Sequence, residues 1–177
     1  VHLPWRDVPA AGGGLPISTS LLAEEAALLA QLATGHTVLE TGTAYGYSAC
    51  LMAAAGALSV ATVDRGDMGA GIVAWRNMAA YGVEHKISAV PGDSRLVLPT
   101  FAEQGWQFGL IFIDGDHTAA GVRNDVGWAR ELSEPGGIIA VHDYGEDCCC
   151  PDVRTVLDEE YPAGADELVG TLFVVKT

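Results

Sequence analysis

Five short apolar runs, beginning near residues 37, 58, 86, 108 and 136, each close on an acid, a glycine or both. Helical patterns separate them. "TVLETG" (37–42), "LSVATVD" (58–64), "KISAVPGDS" (86–94), "FGLIFIDGDH" (108–117) and "GGIIAVHDYG" (136–145) read as strands running into turns. Four consecutive apolar residues, Leu110 to Ile113, fit a strand buried on both faces. Between the runs, "YSACLMAAAG" (47–56) and "GIVAWRNMAAYG" (71–82) read as helices, and a helical stretch extends to about residue 104. Val122, Val126 and Ala129 share one face of a helix after the fourth run; Val153, Val156, Leu157 and Tyr161 share one in "DVRTVLDEEY" (152–161). Before the first run, "SLLAEEAALLAQLA" (20–33) is amphipathic, with Leu21, Leu22, Leu28, Leu29 and Leu32 on its apolar side. The closing "ELVGTLFVVKT" suits an antiparallel strand or hairpin. Five strand–helix alternations argue for an α/β fold: a mostly parallel sheet covered by helices on both faces.

In such a sheet, ligands bind beyond the carboxyl ends of the strands, near the point where strand order reverses. That rule gathers Glu40–Gly46, Asp64, Asp93, Asp114–His117 and His142–Asp143 along one edge. An isolated acid at a strand end is often no more than a polar turn. Several at one edge of one sheet point to a site.

Composition narrows what the site serves. The 177 residues are expected to form one domain, with residues 1–19 as a lead segment. Nine basic against 23 acidic residues give a formal charge of −14, a field that repels phosphate backbones and anionic lipid. Nucleic acid and membrane surfaces are therefore not expected partners. No apolar run is long enough to span a bilayer, and "VHLPWRDVPAAGGG" lacks the pattern of a signal peptide, so a cytoplasmic location is expected. Cys50 stands apart from the triplet Cys148–Cys150, which has neither disulfide-framework nor zinc-site spacing. The triplet and "GED" (145–147) are expected to line or cover the site entrance. Trp75, Trp106 and Trp128 are expected to be packing residues.

The turn "LETGTAYGYS" (39–48) has the spacing Gly42-x-x-x-Gly46, with Ala44 and Tyr47 where a dinucleotide fingerprint needs glycine. Glu40 would repel a pyrophosphate. An acid beside close backbone amides instead suits a ligand carrying both an ammonium and a carboxylate. With these residues the chain resembles the class I S-adenosylmethionine-dependent methyltransferases, over roughly residues 20 to 177. The resemblance implies their Rossmann-like fold, about seven strands with the last antiparallel. It implies a cofactor site of Glu40, Gly42, Thr43, Gly46 and Ser48 from the first turn. Asp64 would take the ribose hydroxyls, Asp93 and Ser94 of "GDS" the adenine, and Asp114 completes the set.

Transfer of a methyl group to a hydroxyl needs that oxygen deprotonated and aligned, which a divalent cation achieves by holding it and lowering its pKa. "IDGDH" and "VHDYG" resemble the branch of metal-dependent O-methyltransferases acting on sugars and other natural products. That implies Asp114 and Asp143 as ligands of Mg2+ or another divalent cation, with His142 beside them in place of the branch's acid or amide. Asp116 is the base by resemblance, and His117 its rival by intrinsic pKa. A metal-independent methyltransferase, or a non-catalytic binding protein of the same fold, are the alternatives. The substrate is expected to be a small hydroxylated molecule. Only residues 1–36 precede the first strand, leaving little material for a lid, so a homo-oligomer is expected to complete the pocket.

Overall fold

The computed structural model describes residue 17 and residues 19–66, 70–145 and 150–177; most of the lead segment, Glu146, Asp147, Cys148 and Cys149 lie outside the described residues. In chain order the elements are α1 (Ala23–Ala33), β1 (Thr37–Thr41), α2 (Tyr47–Ala55), β2 (Ser59–Asp64), α3 (Ala70–Ala80), β3 (Ile87–Pro91) and α4 (Ser94–Glu103). Then follow β4 (Phe108–Ile113), α5 (Ala119–Leu132), β5 (Ser133–Val141), α6 (Pro151–Glu160), β6 (Glu167–Val169) and β7 (Leu172–Lys176).

The seven strands form one sheet in the order β3-β2-β1-β4-β5-β7-β6. β1 to β5 are mutually parallel, and β7 runs antiparallel to both β5 and β6. The closing segment is therefore a hairpin whose second strand inserts between the first and β5. The order steps outward from β1 to β3, then returns to β4 on the other side of β1. The reversal thus lies between β1 and β4, where Thr41 stands opposite Ile113. Ile113 in turn stands opposite Val141, so the residues after β1, β4 and β5 emerge side by side.

Side chains alternate across the strands and give the sheet two cores. Val38, Val60, Leu110, Phe112 and Ala140 pack under α1, α2 and α3. Leu39, Val63, Ile111, Ile113 and Ile139 pack under α4, α5 and α6. All six residues of β4 are buried. Both faces being covered explains its unbroken apolar run, and each such side chain contributes about 1.5–3 kcal/mol.

Three expectations are corrected. α1 starts at Ala23, because the Glu25 carboxylate accepts from the Leu22 N–H (2.6 Å) and ends the extended lead there. Leu22 is consequently exposed and off the apolar face, while Leu21 is buried. β5 spans Ser133–Val141 and stops before His142; Asp143 takes a left-handed φ of 64°, which breaks the strand. Of the tryptophans, Trp128 packs on the second core and Trp106 stacks on Phe101 (centroids 4.6 Å apart), but Trp75 is 62% exposed beside Ile72 on α3. No described helix is long and apolar enough to cross a membrane.

Candidate active site

The turn after β1 is shaped by backbone contacts that only glycine permits. Gly42, at φ 93°, donates its N–H to Val63 O (2.9 Å), while Asp114 N–H reaches Thr41 O (2.9 Å). A Cβ on Gly42 would lie 1.9 Å from the Asp114 carbonyl oxygen. The β1–α2 turn and the β4–α5 loop are thus in direct backbone contact. Gly46, at φ 83°, then opens α2. Asp64 ties the turn to β2: its carboxylate accepts from Ala44 N (3.0 Å) and Gly66 N (2.7 Å).

Two cavities open on either side of this turn. The first, about 310 Å³, is lined by Asp64, Asp93, Ser94, Asp116, His117 and Asp125, among others. The second, about 210 Å³, is lined by Thr43, Tyr47 and Ser48 and by residues 19–21 before α1. Gly42, Ala44, Tyr45 and Asp114 face both, and Asp114 is the only acid among those four. Asp93 lines the first cavity while capping α4: it accepts from Arg95 N (3.0 Å) and pairs with the Arg95 guanidinium (2.6 Å). That guanidinium contact, with the backbone bond, holds its carboxyl down at about 2.

Glu40 sits differently from its expected place at the ligand. It is fully buried, lines neither cavity, and accepts from the Ser48 and Thr62 hydroxyls. Thr62 is bonded in turn to Thr43 (2.6 Å). Glu40 therefore orients two hydroxyls, those of Ser48 and Thr43, that do line the second cavity. Burial pushes its carboxyl up to about 7 against the pull of those hydrogen bonds. A raised carboxyl contributes stability that is complete below its ordinary value and is lost as pH rises through 7. Glu40→Gln is expected to flatten the fall in stability between pH 5 and pH 8 by about 2–3 kcal/mol. Urea unfolding at the two pH values checks this; equal slopes in variant and wild type would contradict the burial argument.

The second group converges where β4 and β5 end. His142 N–H donates to Ile113 O (3.0 Å), which fixes it beside Asp114. His142 Nδ1 lies 3.3 Å from Asp114 and 3.4 Å from Asp143, while Nε2 faces Glu25 at 3.2 Å. His117 Nε2 lies 3.0 Å from Asp143 and 3.4 Å from Asp114. The carboxylates of Asp114 and Asp143 hold His117 up at about 10. For His142 burial opposes the charged form, but the same two acids outweigh it and raise it to about 11. The two imidazoles conversely keep Asp143 far below the usual carboxylate range. The space between the acids demands positive charge.

His142 is 3% exposed, and its Nδ1 has no aligned hydrogen-bond partner. That nitrogen and one oxygen each from Asp114 and Asp143 all lie within 4.8 Å of one another. A buried imidazole nitrogen that faces two carboxylates without an aligned hydrogen bond to either is a donor set that fits a divalent cation. His117, Asp143 and Cys150 form a second such grouping around the same acid. Asp116 is placed otherwise: its carboxylate accepts from Thr118 N (3.0 Å), which holds its pKa below the usual value. It packs against the first turn of α5, where a Cβ on Gly121 would meet Asp116 Cγ at 2.4 Å. Thr118 itself caps that helix, accepting from Gly121 N (3.2 Å).

Two buried acids escaped the sequence reading. Glu25 precedes Leu28 and Leu29 by three and four residues, and Asp125 follows Val122 and precedes Ala129 at the same spacing. Both therefore belong to the apolar face of their helix, and a charge there is the signal that could have found them. Asp125 is 1% exposed at the wall of the first cavity, with one oxygen lacking an aligned partner. Burial holds its carboxyl above the ordinary value.

A glycine turn thus lies at the reversal point of a seven-stranded sheet, with acids at or just beyond the ends of β2, β4 and β5. Residues 39–144 match the methyltransferase domain family, and the chain belongs to it. The chain is 34% identical over 117 residues to the catechol O-methyltransferase of Niastella koreensis, covering 63% of this chain and 51% of that protein. It thus spans about half the length of the curated relative it matches. Among solved structures, cofactor-bound Rv0187 from MTB is similar at TM-score 0.71 and 26% identity, covering 89% of this chain and 81% of that one. TomG, the O-methyltransferase of tomaymycin synthesis from Streptomyces achromogenes, shares the fold at TM-score 0.71 and 23% identity over 89% of this chain and 82% of its own.

Proposed function

We propose that this domain transfers the methyl group of S-adenosylmethionine to a hydroxyl of a small molecule, with a divalent cation in attendance. The observation that carries the reading is Asp114. It faces both cavities and belongs to the convergent set with His142 and Asp143. The first cavity suits the nucleoside, with Asp64 toward the ribose and Asp93, Ser94 and Asp125 toward the base. The hydroxyls of Thr43 and Ser48 suit the amino-acid end. Asp114, Asp143 and His142 would hold the cation, which supplies activation and orientation of the substrate oxygen. The catechol-named relative supports a substrate with two neighbouring hydroxyls. His117 is the better-placed proton acceptor, since it lies against both acids whereas Asp116 is engaged with the start of α5. With a cation held by Asp114 and Asp143, their negative charge would no longer favour the protonated form of His117.

One observation favours a metal-independent variant: His117 and His142 already compensate the two acids. The experiment is methyl transfer to catechol, phenol and sugar acceptors, with calorimetric titration of S-adenosylmethionine in parallel. Cofactor binding and catechol methylation that chelator abolishes and Mn2+ or Mg2+ restores is the expected result. Turnover surviving complete chelation would leave the metal-independent variant; absent cofactor binding would defeat both.

A further inference from the structure

The two nitrogens of His142 are in unlike surroundings, and the contrast has a source far away in the chain. Nε2 lies 3.2 Å from Glu25 Oε2, with both side chains essentially inaccessible to water. Glu25 stands on α1 and is surrounded by donors: Leu22 N (2.6 Å) on Oε2, Thr171 N (2.6 Å) and Thr171 Oγ1 (2.9 Å) on Oε1. The turn between β6 and β7 presses against it, since a Cβ on Gly170 would meet Glu25 Oε1 at 2.4 Å. A carboxylate so enclosed accepts hydrogen bonds and has no room to turn. It therefore keeps the hydrogen on Nε2, so that Nδ1, which faces Asp114 and Asp143 (3.3 and 3.4 Å) without an aligned hydrogen bond, is the nitrogen whose proton a cation would replace.

We propose that Glu25 is the positioning residue of a mixed nitrogen–oxygen cation centre formed by His142 Nδ1, Asp114 and Asp143, and that this centre takes a first-row transition cation such as Mn2+, Co2+ or Zn2+ in preference to Mg2+. The inference rests on the cation-assisted reading above. Mg2+ favours oxygen ligands in a near-ideal octahedron and gives up water reluctantly. An imidazole nitrogen shifts preference toward the transition series. A carboxylate behind a ligating histidine fixes the ring's orientation and raises its basicity, and losing such a partner typically costs about 10–100-fold in metal affinity. Helix α1 and the C-terminal hairpin thereby acquire a function at a site to which neither contributes a ligand.

The test is direct ion binding to the metal-stripped protein, with S-adenosylmethionine binding as the check on folding. The expected result is one ion per chain, with Mn2+ and Co2+ bound on the order of tenfold more tightly than Mg2+. Glu25→Gln places an amide among these donors and is expected to weaken Mn2+ about 10–100-fold while leaving cofactor affinity unchanged. Thr171→Val removes a hydrogen bond from Glu25 without touching His142; it should lower the Tm and leave Mn2+ affinity intact. Equal losses of Mn2+ affinity in the two variants would show a structural role only and overturn the assignment. Should Glu25→Gln fail to fold, nitrogen NMR of the zinc-loaded wild type decides. Nδ1 bound with hydrogen on Nε2 supports the proposal; Nε2 bound, or both nitrogens still protonated, overturns it. Mg2+ binding as tightly as Mn2+ overturns it alone, whereas cofactor binding with no ion bound at all removes the cation reading together with it.

Discussion

Gly42→Ala is expected to lose detectable S-adenosylmethionine binding and to melt on the order of 10 °C lower than wild type. Two costs combine. A non-glycine residue at φ 93° is strained by about 1–2 kcal/mol. The new Cβ would also stand 1.9 Å from Asp114 O, 2.5 Å from its carbonyl carbon and 2.9 Å from Gly115 N. All three are backbone atoms with no rotamer to yield, so overpacking adds about 1–3 kcal/mol. Relief comes only from separating the β1–α2 turn from the β4–α5 loop, and both cavities share that seam. Gly46→Ala is the control: it is strained by its φ of 83°, but its Cβ would meet the Ala74 side chain at 3.3 Å, so a milder loss is expected. Differential scanning fluorimetry and calorimetry on both variants rank them. Normal cofactor binding by Gly42→Ala would mean that backbone contact at this seam does not shape the cavities.

Asp114→Asn is expected to reduce cation-supported turnover by about 10²–10⁴-fold, the range set by several kcal/mol of lost charge stabilisation. Cofactor affinity should change far less. The substitution preserves shape, and the backbone bond from residue 114 to Thr41 O (2.9 Å) survives, so the turn geometry is kept. What disappears is one of the two negative charges that face His142 Nδ1 and His117 Nε2. Mn2+ affinity measured alongside kcat and the cofactor dissociation constant separates the contributions. A variant that loses S-adenosylmethionine binding while keeping turnover on saturating cofactor would place Asp114 at the cofactor instead.

The architecture was legible because periodicity and strand punctuation are local. The apolar run of β4, the glycine turn after β1 and the acids after β2, β4 and β5 lie where the alternation puts them. Trp75 was not legible, since its spacing along α3 is that of an ordinary helical residue and only the packed structure leaves it 62% exposed. Leu22 misled for a related reason. It is apolar and next to an apolar face, but a hydrogen bond from its own N–H to Glu25 starts the helix one residue later.

For the site, residue types announced themselves and roles did not. The acids and histidines ending β4 and β5 were visible as a group, and register then set them within hydrogen-bond range. Asp116 and His117 are neighbours that sequence could not rank; only the backbone of the loop turns Asp116 onto Thr118 N and His117 onto Asp114 and Asp143. Glu40 was visible as a strand-end acid, yet its fate depends on Ser48 and Thr62, drawn in from α2 and β2. The sequence by itself determined the sheet, the edge and the chemistry available there, because strand ends and helix faces follow from spacing along the chain. Tertiary structure alone decided which groups meet: Glu25 and His142 are 117 residues apart, and their 3.2 Å contact exists only because α1, β5 and the C-terminal hairpin pack together at that edge.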